Sequence, residues 1–130
     1  MLRLANATPE NQLLILSIAV VELRSAVRRR ERAGDISARD ASSILEQFGT
    51  HLSSVFVRQA VTNRTVDLAS KLIDDRGLRA YDAIQLAGCL EIAESSGHRP
   101  STFVCSDAAL LEAAAGEGLP VLDPSTWRNV

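Results

Sequence analysis

Residues 77–97, "GLRAYDAIQLAGCLEIAESSG", constrain the fold more than any other stretch of the chain. Leu78, Ala80, Ala83, Ile84, Leu86, Ala87, Cys89, Leu90, Ile92 and Ala93 leave almost no polar face until Glu91 and Glu94. A helix that is apolar nearly all round is packed on both sides. Its first turn nonetheless carries Asp82, and aspartate is almost never fully buried without a partner. The rest of the chain must therefore supply both the cover for this helix and a partner for its carboxylate.

The cover comes from an alternation of element types. "LLILS" (13–17) reads as a strand, and 18–34 as a helix closing at Gly34. A second helix follows, with Ser37 and Asp40 as its capping box. "SVFVRQAV" (54–61) is a strand, and 62–77 a helix with Ala69, Leu72 and Ile73 inward and Gly77 as its stop. After the apolar helix come a strand at 101–106, a helix over "DAALLEAAAGEG", a strand at 119–124 and a short tail. Strands alternating with helices predict right-handed crossovers and an α/β fold, one parallel sheet flanked by helices. At 130 residues, 46% of them hydrophobic, a single domain spanning 1–130 with a real core is expected. In such sheets ligands sit beyond the carboxyl ends of the strands, so function is sought just after "LLILS", "SVFVRQAV", "TFVCS" and "PVLD".

Several function classes drop out. The longest apolar run is far shorter than the roughly 20 residues a bilayer span needs, and no secretory leader opens the chain. Cys89 and Cys105 sit among apolar neighbours and read as small hydrophobes in a reducing compartment, which makes the cytoplasm the default location. His51 and His98 lack metal-ligand spacing and read as surface residues. There is no H-E-x-x-H, no C-x-x-C, no phosphate loop and no dinucleotide fingerprint. With one Trp, one Tyr and three Phe, the chain offers no aromatic platform for single-stranded bases.

Charge is more informative locally than globally. The net charge of −2 attracts no polyanion, yet "RSAVRRRER" sets Arg24, Arg28, Arg29, Arg30 and Arg32 within nine residues. These are either cations favoured at a helix C-terminus or a basic rim for phosphate. Three carboxylates also stand out. Glu22 lies among Ile18, Ala19 and Ala26 on the apolar side of its helix, Asp82 heads the buried helix, and Asp107 directly follows "TFVCS". Each has an ordinary explanation: an arginine of its own helix for Glu22, first-turn N–H groups for Asp82, a helix cap for Asp107. Taken together, they lie where this topology brings chain segments to one sheet edge, and there they would repel unless they held a cation. Oxygen-only ligands suit Mg²⁺ or Mn²⁺, which activate water and stabilise a leaving oxygen in phosphoryl chemistry.

"LSIAVVELRSAVRRR", "GLRAYDAIQLAGCL" and "TFVCSDAALLEAAAGEGLPVLDP" resemble consecutive signature blocks of the PIN-domain family, and most resemble the VapC-type toxins of bacterial toxin–antitoxin pairs. The resemblance runs from about residue 13 onward. It implies a three-layer sandwich and a Mg²⁺- or Mn²⁺-dependent endoribonuclease. Glu22 matches the family's helix glutamate, Asp82 the aspartate of its third block, and Asp107 the aspartate after its fourth conserved strand. It also implies an RNA substrate, a homodimer and a small antitoxin that covers the active site, with Arg28, Arg29 and Arg30 as contacts to RNA or antitoxin.

The chain departs from that pattern at its start. The family opens on a central strand bearing an aspartate, whereas "MLRLANATPENQ" has neither, and Glu10 has no setting to replace it. The expectation is a PIN-like domain without its N-terminal strand, either part of a longer chain or a degenerate domain serving only dimerisation or antitoxin binding. Two strands would then expose unpaired backbone, which favours strand exchange, tight dimerisation or low stability. Gln85 replaces a frequent histidine and is placed to hydrogen-bond Asp82 or to lie on the surface. Ala108 replaces a frequent basic residue, and Ser106 is expected to cap the following helix.

Overall fold

A computed structural model of the chain describes residues 12–95 and 101–126. Its fold is mixed α/β, and it separates into two compact units that meet in sequence at Ala60 and Val61. The expected missing strand and Glu10 lie outside the described residues.

In the first unit, strand β1 (Leu13–Leu16) pairs in parallel with β2 (Phe56–Gln59), Leu13 opposite Phe56 and Leu16 opposite Gln59. Parallel strands need a crossover, and two helices supply it, α1 (Ser17–Arg32) and α2 (Ala38–Ser54). α1 starts with Leu16 at its cap and no side-chain cap bond, and carries Arg29, Arg30 and Arg32 in its last turn, where cations are favoured. α2 opens as expected, the Ser37 hydroxyl accepting from the Asp40 N–H at 3.0 Å. The rings of Phe48 on α2 and Phe56 on β2 lie 6.3 Å apart and tilted by 51°, an aromatic pair joining helix to strand. Leu14 and Val57, which face each other across the ladder, are both exposed.

The second unit holds α3 (Asn63–Arg76), α4 (Ala80–Ser95), β3 (Phe103–Val104), α5 (Ala108–Gly116), β4 (Val121–Leu122) and a 3₁₀ turn (Pro124–Thr126). β3 and β4 are parallel, Phe103 opposite Val121. The strands thus form two small parallel sheets flanked by helices, in place of the one sheet expected. Each ladder is only two strands wide because, among the described residues, no strand joins one pair to the other.

Helix α4 behaves as its composition demands. Ala83, Leu86, Ala87 and Gly88 are buried, and the first three pack with Ala69 and Leu72 of α3, Leu110, Ala113 and Ala114 of α5, Phe103 and Leu119. Alanines let the helix backbones approach closely, and Leu86 fills the contact with no exposed surface. Ile73 corrects the expected inward set: it is 37% exposed, because Ala69 and Leu72 already occupy the face of α3 turned to α4.

Polar groups then lock the helix pair. Thr62 caps α3 in a reciprocal box with Thr65, and Gly77 ends the helix at φ +66°, a left-handed conformation that costs residues with a Cβ. Thr65 is fully buried and donates to Glu91 on α4, which satisfies the one buried polar side chain of this contact. Arg64 pairs with Glu94 nearby. Arg76 lies across the end of α5, 2.7 Å from Glu117, with its guanidinium against Gly116, where a Cβ would make the flexible side chain shift.

Truncating Leu86 to Ala removes a fully buried side chain and is expected to cost about 2–5 kcal/mol in urea unfolding. Ile73→Ala should cost less than half as much. Equal losses would show that Ile73 belongs to the core after all.

Candidate functional site

The carboxyl ends of β3 and β4 gather most of the chemistry. Cys105 follows β3, and its thiol donates to the Asp107 carbonyl at 3.5 Å. Burial raises the Cys105 pKa; the hydrogen bond to Asp107 works against this, while the negative charges of Asp107, Asp123 and Asp82 add to it. Three carboxylates from separate parts of the second unit therefore act on one thiol.

Their roles differ. Asp107 is the N-cap of α5: its Oδ1 accepts from the Leu110 N–H at 3.0 Å. The cap expected of Ser106 thus falls to the next residue, whose extended backbone and short carboxylate fit the position. Ser106 instead lies beside Asp123 and weakly favours its charged form. Asp123 accepts from the Ser125 hydroxyl at 2.6 Å and the Ser125 N–H at 2.9 Å, and these donors, the hydroxyl foremost, hold its pKa below the usual carboxylate value. Asp82 stands, half-buried, in the first turn of α4, and among the described residues its side chain forms no hydrogen bond or ion pair. Gln85 does not serve it. The Gln85 amide donates to the Tyr81 hydroxyl one turn earlier.

Asp123 is the residue that sequence reasoning missed. "PVLD" marks the end of a strand, which is the right place, but the signal lies in the donors, and those come from Ser125. Among the described residues, no three His, Cys, Asp or Glu side chains form a group that could hold a metal ion. The donor chemistry is that of a hard divalent cation, but the arrangement does not close around one, since Asp107 is engaged with α5 and Asp123 with its serines.

In the first unit, Glu22 is half-exposed, with its Oε1 3.9 Å from Arg29, seven residues on and so on the same side of α1. Arg28 pairs with Glu31 at 2.7 Å, and Arg30 is exposed. His51 is half-buried in the last turn of α2, which corrects its expected surface position; His98 lies outside the described residues. The first sixty residues carry eight arginines against six carboxylates, and the remainder six basic residues against ten. The small net charge therefore conceals a basic unit and an acidic one.

No family model matches the chain, and no curated protein does. Its fold resembles PAE2754. The crystal structure of that protein, from Pyrobaculum aerophilum, matches with a TM-score of 0.64 and 24% identity, over 88% of this chain and 72% of the other. The likeness is one of fold. Among the described residues, no helix is long and apolar enough to cross a membrane.

Two measurements probe these groups. Asp107→Ala should lower stability by about 1 kcal/mol, and Asp107→Asn should recover most of it, because asparagine caps nearly as well; thermal unfolding of both variants distinguishes a cap from a residue needed only for its charge. Burial pushes the Cys89 thiol up to about 11 from its ordinary value of 9. The folded state then keeps its proton where the unfolded state loses it, so stability should fall as pH rises from 9 to 11. Cys89→Ala should flatten that slope in urea titrations across the window.

Proposed function

We propose that the chain is a metal-dependent endoribonuclease of the PIN type, the toxin of a toxin–antitoxin pair. The observation that carries this reading is Asp82, a half-buried carboxylate without a hydrogen bond or ion pair among the described residues, whose charge acts on the same thiol as those of Asp107 and Asp123. An aspartate left without a partner but open to solvent on one side is free to take up a cation. The sequence motifs favour Mg²⁺ or Mn²⁺ for that role, and the hard oxygen donors of Asp82 and Asp107 suit either ion. Glu22 is retained as the third ligand on its motif alone. When bound, such an ion would supply an activated water and neutralise charge on the phosphate. The chain's own residues contribute positioning: the first turn of α4 presents Asp82, and the start of α5 presents Asp107. An RNA substrate, a homodimer, a small antitoxin and a PIN-like sandwich belong to the same reading.

The rival is a catalytically incomplete PIN-like module that acts in dimerisation or antitoxin binding. It is favoured by the present commitments of the acids, Asp107 to the α5 cap and Glu22 to Arg29. Calorimetric titration with Mn²⁺ separates the two. The nuclease reading expects saturable binding that Asp82→Asn weakens at least tenfold while leaving the melting temperature unchanged or higher. Absence of binding, or binding indifferent to Asp82, leaves the non-catalytic module as the function.

A further inference from the structure

Consecutive residues of a helix point about 100° apart, so Arg28, Arg29 and Arg30 do not share a contact surface. Residues four apart do. Arg24, Arg28 and Arg32 follow one another along one side of α1 at i, i+4 and i+8, with a rise of about 6 Å per step. Arg24 and Arg32 are exposed and Arg28 is half-buried, while Ser17 and Val21, at the start of the same side, are exposed too, Val21 by 68%. Val27, which points away from the row, is buried. Arg28 is paired with Glu31, whereas Arg29 turns aside to Glu22. Among the described residues, neither Arg24 nor Arg32 has a carboxylate within 4.0 Å. Like charges spaced four apart weaken a helix, so the row carries a folding penalty that an anionic partner would offset.

We propose that this side of α1 is a track for the phosphodiester backbone of a single-stranded nucleic acid, with Arg24, Arg28 and Arg32 meeting successive phosphates. One cation per helical step matches a polymer with one charge per repeat, and polyglutamate competition in the test below separates it from an acidic protein surface. All three residues are arginines, whose planar fork binds phosphate through paired N–H groups. α1 has no aromatic residue on which to stack a base, so the track reads backbone and not sequence. The inference deepens the nuclease reading and rests on it for its biological meaning, but the binding it describes needs no metal.

The test is fluorescence anisotropy of a labelled ten-nucleotide oligouridylate in EDTA across a salt series. Three phosphate contacts give a log–log slope of about −2, so the dissociation constant should rise roughly 20-fold between 50 and 200 mM salt. Arg24→Gln with Arg32→Gln should reduce the slope to about −0.7, with helix content unchanged by circular dichroism, and the Lys pair at these positions should restore it. A slope unaltered by the Gln pair, no binding at low salt, or displacement of the oligonucleotide by polyglutamate at equal charge would each overturn the track. Because EDTA removes every divalent ion, loss of Mn²⁺ binding with this binding intact sinks only the metal reading, and the converse sinks only the track.

Discussion

The contact between α3 and α4 is the interaction on which the second unit depends. It is made of small residues, Ala69, Ala83 and Ala87, with Leu72 and Leu86 filling what the alanines leave open. Such a contact has little tolerance in either direction, because alanine at close approach leaves no room for a larger group and a missing leucine leaves a void. The polar groups at its edge are satisfied within it, Thr65 by Glu91 and Arg64 by Glu94. Since α4 is held along its length, its first turn is held as well, and the position of Asp82 follows from the packing of alanines below it.

At the carboxyl ends of β3 and β4, one constraint acts in two ways. Strand ends turn directly into α5 and into the turn after β4, so the residues there must satisfy free N–H groups, and aspartate does this well. Asp107 accepts from Leu110 and Asp123 from Ser125 for that reason. The same residues place negative charge near Cys105. Structural and chemical roles thus draw on the same oxygens. Asp82 differs because no described group offers it a hydrogen bond or ion pair, and it is therefore the most informative position for function.

Electrostatics divides the two units more sharply than the net charge suggests. In the first, intrahelical partners take up some of the arginines: Arg28 with Glu31, Arg29 with Glu22. These are exposed or half-exposed pairs of small energetic weight, and their effect is to orient side chains more than to stabilise the helix. In the second, the acids outnumber the bases, ten to six.

The sequence by itself determined the order of strands and helices, because that is a local matter, although the strands expected at 101–106 and 119–124 shrink to Phe103–Val104 and Val121–Leu122. The Ser37 cap, Gly77 at positive φ and the apolar girth of residues 78–93 act within a turn or two of themselves. It also placed Asp82 in a first turn and Asp107 at the end of a strand. Only the tertiary structure decided the pairing of strands as two ladders, since parallel neighbours are joined by distant segments and periodicity holds no record of partners. It decided that Ile73 faces outward, that Glu22 meets Arg29, that Gln85 serves Tyr81, and that Asp123 belongs with Asp107. Each of those outcomes depends on which side chain reaches a shared position first, and only packing in three dimensions settles that competition.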